Sequence, residues 1–192
     1  MSKKPIAAGK SSFDLIDSEK LFHELALQEG TIFFDVACGK GTYSIKASEH
    51  VGQTGRIYAF DLWKEGIDSL HNEIASRQVK NIIVDVVDIS DRVPLADSSV
   101  DVCLMATVLH DLIQDGTDQG TMKEVLRVMK PSGKLAVVEF KKIAGPPGPP
   151  LEIRLSAKEV EQYLRPYSFH IEKTIDVGPY NYLSVFANRK AL

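Results

Sequence analysis

A short apolar run that ends on an acid and breaks into a glycine turn is the feature that most constrains this chain. Residues 31–36 read Thr-Ile-Phe-Phe-Asp-Val and predict a buried strand, and a tight turn containing Gly39 and Gly41 follows at once. Residues 43–47 then predict the start of a helix. Open α/β sheets form nucleoside pockets where a strand stops at such a turn and leads into a helix N-terminus. Glycine there lets the backbone approach a ligand more closely than a side chain would permit.

The length and composition of the chain predict one soluble domain. Its 192 residues are 44% hydrophobic, which is enough apolar material for a full core in a single domain over residues 13–192. Residues 1–12 are small, polar and basic, and predict a flexible N-terminal arm. No apolar run approaches the roughly 18 residues that a membrane span needs, so we expect no membrane span and a cytoplasmic location.

Charge and cysteine content disfavour two classes of function. The net charge is −3 and the basic residues are scattered, so the sequence offers no electrostatic footprint for nucleic acid. Cys38 and Cys103 are the only cysteines, and two such residues make neither a disulfide framework nor a metal-ligand cluster. We therefore expect no bound metal.

Strand-like and helix-like segments alternate along the chain. Apolar runs predict five strands at 31–36, 56–60, 81–87, 100–105 and 134–140, and two more at 169–177 and 182–187. Helical patterns between the first five imply parallel crossovers with helices on both faces of the sheet. The last two runs are joined too briefly for a parallel crossover, so the last strand should run antiparallel. The predicted fold class is α/β, with a doubly wound, mostly parallel seven-stranded sheet and an antiparallel last strand.

Two capping boxes and one proline-rich segment predict element boundaries. Thr121 with Glu124, and Ser156 with Glu159, each match the pattern that begins a helix. Residues 145–150 read Gly-Pro-Pro-Gly-Pro-Pro and cannot form a helix or a central strand. They follow the fifth strand at the edge of the sheet where ligands bind, so they are either a stiff flap over the substrate or a plain connector.

Residues beyond the glycine turn bear on which nucleoside ligand fits. The third glycine of a dinucleotide fingerprint would fall at Ser44, so a pyrophosphate site loses support. Asp61 ends the second strand 20 residues past Gly41, where a carboxylate can hold both ribose hydroxyls. Alternatively, Asp61 is an ordinary strand-end or helix-capping residue. Asp88 ends the third strand, and it either meets an adenine amino group or caps the turn that follows.

Residues 35–41, 60–61, 87–89 and 126–135 form four motifs, three of them at predicted strand ends. In this order they resemble the motifs of class I S-adenosylmethionine-dependent methyltransferases, most closely the small quinone-biosynthesis-like, type 11, branch. The resemblance covers roughly residues 20–190. It implies that the chain transfers a methyl group from S-adenosylmethionine to a small or medium organic acceptor. The chain departs from the pattern at Ala37, where many members carry glycine.

The resemblance also implies which residues bind the cofactor. These residues are Asp35, Ala37, Cys38, Gly39, Gly41, Asp61, Leu62, Trp63, Asp88, Ile89 and Ala106. The 35–41 turn would surround the methionine portion, Asp61 would hold the ribose, and Ala106 would lie beside the sulfonium. Leu62 or Trp63 would face the adenine, although Trp63 is alternatively a helix-packing aromatic. Asp88 and Ile89 would lie at the edge of the base.

His110, just past the fourth strand, is the candidate catalytic residue. A histidine can accept a proton near neutral pH, and the resemblance supports a position facing the cofactor. Alternatively, His110 caps its loop or packs under the edge of the sheet. Glu139, at the end of the fifth strand, either lines the acceptor site or forms a solvated pair with Lys141.

Two other functions stay open on the sequence alone. One is a non-catalytic module that binds S-adenosylmethionine and serves a partner protein, because the cofactor motifs would be the same. The other is a nicotinamide oxidoreductase, which Ser44 and the antiparallel ending disfavour. The expected partner is a small-molecule methyl acceptor, and a homodimer is one expectation for the oligomeric state.

Overall fold

A single seven-stranded sheet organises the computed structural model, which describes residues 8–188. The strands are β1 (Ile32–Val36), β2 (Arg56–Asp61), β3 (Ile82–Val86), β4 (Val100–Ala106), β5 (Met129–Phe140), β6 (Phe169–Asp176) and β7 (Asn181–Asn188). They lie in the order β3-β2-β1-β4-β5-β7-β6. β7 is antiparallel to both of its neighbours, and the other pairings are parallel. The predicted fold class is confirmed, including the antiparallel last strand.

In the described part of the chain, six α-helices cover the two faces of the sheet. They are α1 (Ser18–Leu25), α2 (Thr42–Val51), α3 (Lys64–Arg77), α4 (Leu109–Asp115), α5 (Asp118–Val128) and α6 (Ala157–Leu164). None of the helices within residues 8–188 is long and apolar enough to cross a membrane. Residues 1–7 of the predicted arm fall outside the described residues, and the division of the chain into arm and domain stays a prediction.

The central strands send successive side chains to opposite faces of the sheet. Phe33 packs with the buried residues of α1 and α2, whereas the next residue, Phe34, packs with those of α5 and α6. Both phenylalanines are fully buried. Strands that are covered on both faces are continuously apolar, which explains why β1 lacks an alternating pattern. The core therefore consists of two layers with the sheet between them.

Two boundaries differ from the sequence predictions by more than one residue. α5 begins at Asp118, so the Thr121 capping box is wrong: the Thr121 hydroxyl bonds back to the carbonyl of Thr117 inside the helix, and Glu124 pairs with Arg127. Threonine can satisfy its hydroxyl in this way without capping. β5 begins at Met129, five residues before the predicted start, because the pairing with β4 resumes after an irregularity that contains Pro131, Ser132 and Gly133. A bulge accommodates proline, which has no N–H to donate.

The order of the strands creates a crevice between β1 and β4. The helix after β1 packs on one face of the sheet, whereas the helix after β4 packs on the other. The two chains therefore separate beyond the carboxyl ends of these neighbouring strands. This switch point is where open α/β sheets bind ligands.

Candidate functional site

A pocket occupies the crevice at the carboxyl ends of β1, β2 and β4. Ten of the twelve predicted site residues line it: Asp35, Ala37, Cys38, Gly39, Asp61, Leu62, Trp63, Asp88, Ile89 and Ala106. The structure thus brings together the ends of β1, β2 and β4 and the residues that follow β3, which are far apart in the sequence. Gly41 and His110 are not among the lining residues.

The turn after β1 has left-handed backbone at Ala37, Gly39 and Gly41, with φ angles of 58°, 58° and 70°. A Cβ on Gly39 would meet nothing within 4 Å, because that position faces the open pocket. A Cβ on Gly41 would instead collide with the side chain of Leu70 in α3. The first glycine therefore leaves room for a ligand, and the second lets α2 and α3 pack closely. Ala37 adopts a conformation that costs an L-residue about 1–2 kcal/mol.

Asp61 joins two turns at the base of the pocket. Its Oδ2 accepts a hydrogen bond from the Gly39 N–H at 2.8 Å, and its Oδ1 accepts one from the Trp63 N–H at 2.7 Å. Burial raises the pKa of Asp61, and the backbone donors at Trp63 and Gly39 oppose that rise. The strand-end role considered from the sequence is therefore real. Each carboxylate oxygen can accept more than one hydrogen bond, so a ribose role is compatible with it.

Asp35 places a second carboxyl group in the pocket. Its Oδ2 accepts a hydrogen bond from the Ser44 hydroxyl at 2.6 Å. Burial raises the pKa of Asp35 to about 7, the Ser44 hydrogen bond works against the rise, and the charge of Asp61 adds to it. A cationic group beside Asp35 would favour its ionised form. Ser44, which opposed a dinucleotide site in the sequence, thus supports this carboxylate instead.

An N-terminal segment forms one wall of the pocket. Residues 8–12 line it, and Ser12 is buried. The Ser12 hydroxyl shares hydrogen bonds with the Tyr43 hydroxyl at 2.8 Å and with the Thr107 hydroxyl at 3.1 Å. Phe13 packs edge-on against the Tyr43 ring. No local pattern in the sequence predicts this wall, because Ser12 meets partners 31 and 95 residues away.

The far end of the pocket carries Trp63 and Asp88. Trp63 packs against the backbone of Gly66, where a Cβ would collide with the indole ring, and Gly9 lies close to the other edge of the ring. Oδ1 of Asp88 accepts hydrogen bonds from both the N–H and the hydroxyl of Ser90. Both structural roles considered from the sequence are therefore present, while each residue also borders the pocket.

His110 binds a buried glutamate behind the pocket wall. Its Nδ1 lies 2.7 Å from Oε2 of Glu139, and its backbone N–H donates to Oε1 of the same residue at 3.2 Å. Glu139 has no exposed surface, so it forms no solvated pair. Lys141 instead pairs with Asp176. His110 therefore packs beneath the pocket, and its catalytic role stays a prediction.

The proline-rich segment is held by hydrogen bonds to one arginine side chain. Arg154 is buried, and its five guanidinium donors reach the carbonyls of Lys141, Ile143, Gly145, Pro147 and Pro149 at 2.6–3.2 Å. These are all the N–H donors that an arginine side chain has. The segment is not among the pocket-lining residues. Its geometry fits the connector expected from the sequence better than the flap.

The pocket is lined by acids, hydroxyl-bearing residues, the backbone of the glycine turn and two lysines, Lys10 and Lys40. Burial raises the pKa of the Cys38 thiol well above its ordinary value, so the thiol is a packing group. Within residues 8–188, no group of three or more His, Cys, Asp or Glu side chains is placed to hold a metal ion. Lining residues that the sequence did not single out include Lys10, Ser12, Thr107, Asp111, Leu112 and Asp115.

Known protein families match the part of the chain that forms most of the sheet. The Methyltransf_31 family model, described as a methyltransferase domain, matches residues 27–174. A demethylmenaquinone methyltransferase of Lactobacillus johnsonii is 26% identical over 128 residues, which are 67% of this chain and 51% of that protein. A ubiquinone/menaquinone biosynthesis C-methyltransferase UbiE of Erwinia tasmaniensis is 28% identical over 82% of this chain and 59% of its own length. The chain thus spans about half the length of the curated relatives it matches.

Solved structures share the whole fold. A SAM-dependent methyltransferase from Aquifex aeolicus is 30% identical with a TM-score of 0.83, and the match covers 91% of both chains. A type 11 methyltransferase described as putative, from Sulfolobus solfataricus, has a TM-score of 0.70 at 23% identity and covers 92% of this chain and 94% of its own. The second likeness concerns the fold alone.

Proposed function

This chain belongs to the methyltransferase domain family, and on that premise we propose that it transfers a methyl group from S-adenosylmethionine to a small or medium organic acceptor. The observation that carries the proposal is the turn after β1, which opens onto a pocket between two buried carboxyl groups. Asp35 and Asp61 border the pocket, and the space beside Gly39 is free for a ligand. These residues fit a cofactor that carries an ammonium group and a ribose.

We propose cofactor contacts for the residues predicted from the sequence. Asp35, with the turn residues Ala37, Cys38 and Gly39, binds the methionine portion, because its carboxylate can pair with the ammonium group. Asp61 accepts from the ribose hydroxyls while it holds the turns. The adenine contacts, and the contact beside the sulfonium, are assigned to Leu62, Trp63, Asp88, Ile89 and Ala106. Gly41 acts indirectly, by letting α2 approach α3.

The chemistry asks the protein mainly for positioning. S-adenosylmethionine supplies a methyl group already activated on a sulfonium. The residues around the pocket bind, orient and exclude water, which is how such sites lower a barrier without covalent chemistry. The hydroxyl cluster of Ser12, Tyr43 and Thr107 draws the N-terminal segment over one side of the pocket. We propose that this segment shields the reacting groups from solvent.

The acceptor is proposed from two sources. The names of the curated relatives point to quinone-type ring acceptors, and we propose a ring of that kind as the first to test. The second source is the pocket wall formed by the start of α4, where the apolar side chains of Val108 and Leu112 lie together with Asp111. Such a wall suits an apolar ring that carries a polar substituent. A homodimer and a cytoplasmic location stay predictions of the sequence.

Transfer of labelled methyl from S-adenosylmethionine into an extract of small molecules tests the proposal. The proposal predicts a labelled low-molecular-mass product that depends on the protein and is suppressed by S-adenosylhomocysteine. Binding of S-adenosylhomocysteine with no labelled product in any extract would favour the non-catalytic module. A response to NAD and none to S-adenosylhomocysteine in a thermal-shift comparison would favour the oxidoreductase.

A further inference from the structure

α4 turns one face toward the pocket and buries the other. Val108, Asp111, Leu112 and Asp115 line the pocket at positions spaced by three and four residues, which is one face of a helix. His110 is one residue from Asp111, about 100° around the helix, and it points into the protein. The acid, rather than the histidine, therefore reaches the space beside the proposed cofactor site.

Three side chains form a row from the core to this wall. Glu139 is fully buried and bonds to Nδ1 of His110 at 2.7 Å. Nε2 of His110 lies 3.6 Å from Oδ2 of Asp111. Asp111 is 8% exposed, and its Oδ2 has no hydrogen-bond partner among the described residues. A carboxylate oxygen that is buried without a donor is costly unless a ligand or a small movement satisfies it.

The charges around Asp111 suit proton transfer. Burial raises the pKa of Asp111; the charge of His110 opposes the rise, those of Glu139 and Asp115 add to it, and that of Lys10 opposes it. Burial and the charge of Arg154 both act to lower the pKa of His110. The hydrogen bond and the charge of Glu139, together with the charge of Asp111, outweigh them, so the pKa of His110 is raised. A carboxylate whose pKa moves toward neutrality is a better general base at neutral pH.

We propose that Asp111 is a catalytic residue that contacts the methyl acceptor and takes its proton, and that His110, fixed by Glu139, is a positioning residue behind it. The inference rests on the proposed function. It names the acceptor as a small, largely apolar molecule with a phenolic or enolic hydroxyl, because the apolar side chains of Val108 and Leu112 line the same pocket as the carboxylate.

The step balances without any further reagent. The acceptor oxygen forms a bond to the methyl carbon as the bond between that carbon and sulfur breaks, and the electrons of the broken bond stay on sulfur. The hydroxyl proton moves to the Asp111 carboxylate. Asp111 then releases this proton to solvent, while the charged His110 stays hydrogen-bonded to Glu139. S-adenosylhomocysteine and the methyl ether are the products.

A hydroxyl fits this arrangement better than an amine does. An amine is largely cationic at neutral pH and has to lose a proton before it can attack. A phenol is neutral, and it can give up its proton as its oxygen attacks. Methylation of amine probes in preference to hydroxyl probes would overturn the acceptor class.

The test compares Asp111→Asn with the wild type on a panel of hydroxyl probes (4-nitrocatechol, hydroquinone and 2-naphthol) and of amine probes such as benzylamine. Asp111→Asn should bind S-adenosylhomocysteine within about twofold of wild type and lose about 100-fold or more in methyl transfer, the usual worth of a general base. Asp85→Asn, an equal charge change on exposed β3, should change neither quantity. If Asp111→Asn does not fold, Asp111→Ser takes its place in the same measurements.

Binding of 4-nitrocatechol to the complex with S-adenosylhomocysteine gives a second readout, from the visible spectrum of the probe. Wild type should shift the spectrum, and Asp111→Asn should not. Transfer retained within threefold in Asp111→Asn would overturn the proposal. So would a wild type that neither methylates nor binds any hydroxyl probe, and retained S-adenosylhomocysteine binding would then leave the proposed cofactor site standing. Failure of the wild type to bind S-adenosylhomocysteine would instead remove the proposed function, and with it this inference.

His110→Asn separates positioning from structure. Asparagine keeps a donor for Glu139 but removes the charged ring nitrogen beside Asp111. Because the charge of His110 lowers the pKa of Asp111, the variant should move the rising limb of the kcat/KM–pH profile to higher pH. A purely structural role would lower the whole profile without moving its midpoint, and that result would overturn the positioning role.

Discussion

The Asp61 carboxylate accepts a hydrogen bond from the Gly39 N–H at 2.8 Å, although 22 residues separate the two. Its second oxygen accepts from the Trp63 N–H. One side chain therefore ties the turn after β1 to the turn after β2, and both turns border the pocket. Removal of Asp61 will loosen this tie as well as remove any ligand contact. A test of the ribose role has to separate the two effects.

Asp61→Ala is best measured with two ligands, S-adenosylhomocysteine and its 2′,3′-dideoxy analogue. In wild type, loss of the ribose hydroxyls should cost on the order of 1.5–3 kcal/mol, the range for hydrogen bonds to a charged group. In Asp61→Ala both ligands should bind weakly and nearly equally. Calorimetric titration gives the four affinities, and an equal cost of the hydroxyls in the two proteins would remove Asp61 from the ribose site.

Gly39→Ala and Gly41→Ala should differ in stability. Both force an L-residue into left-handed backbone, at about 1–2 kcal/mol each. Only the alanine at 41 also meets the Leu70 side chain, and overpacking of that kind adds about 1–3 kcal/mol. In urea unfolding, Gly41→Ala should therefore have a clearly lower free energy of unfolding than Gly39→Ala. The opposite ranking would mean that Gly39 faces packed protein rather than an open pocket.

Asp35→Asn should stabilise the ligand-free protein at pH 8 and weaken the cofactor complex. The native pKa of Asp35, about 7, lies above its unfolded value near 3.9, so the native state binds the proton more tightly. This contribution to stability is complete below about pH 4 and is lost as the pH rises to about 7. Thermal unfolding of Asp35→Asn, measured from about pH 4 to about pH 8, should not show this loss of stability.

The ligand side of the same substitution has the opposite sign. An ammonium group favours the ionised carboxylate, so affinity of the wild type for S-adenosylhomocysteine should rise with pH through about 7. Asp35→Asn should show no such rise and should bind on the order of tenfold or more weakly at pH 8. Equal affinities at pH 8 would contradict the ammonium contact.

Arg154→Lys should destabilise the fold and leave the cofactor site alone. Lysine has three donors against the five that Arg154 uses, so at least two of the five carbonyls lose their hydrogen bonds. We expect a loss of about 2–4 kcal/mol in the free energy of unfolding, from several hydrogen bonds at about 1 kcal/mol each. Affinity for S-adenosylhomocysteine below the unfolding transition should stay within twofold. A tenfold loss of affinity would show that the proline-rich segment supports the pocket.

The sequence located the strand ends because each combines two strong local signals. Asp35, Asp61 and Asp88 each lie at the end of an apolar run, and glycine or turn residues follow. Parallel topology then brings such ends to one edge of the sheet. Local patterns could therefore predict which strand ends border the pocket, whereas the individual cofactor contacts are implied by the resemblance and stay predictions.

The acceptor side could not be predicted in the same way. α4 has only seven residues, and all of Leu109–Leu112 are buried, so no periodicity shows which of them faces the pocket. His110 and Asp111 are neighbours in the chain, so a small error in the predicted orientation of α4 places His110 in the pocket instead of Asp111. Ser12 escaped notice for a different reason: its position depends on contacts with Tyr43 and Thr107, which no local pattern encodes.

Calorimetric titration of S-adenosylhomocysteine into the wild type and into Gly39→Ala tests most directly whether the turn after β1 holds the cofactor. Wild type should bind one equivalent. The variant should remain folded and lose on the order of tenfold or more in affinity, because its added methyl group projects into the pocket. No binding to the wild type, or equal affinity in the two proteins, would contradict the assignment of this pocket to S-adenosylmethionine.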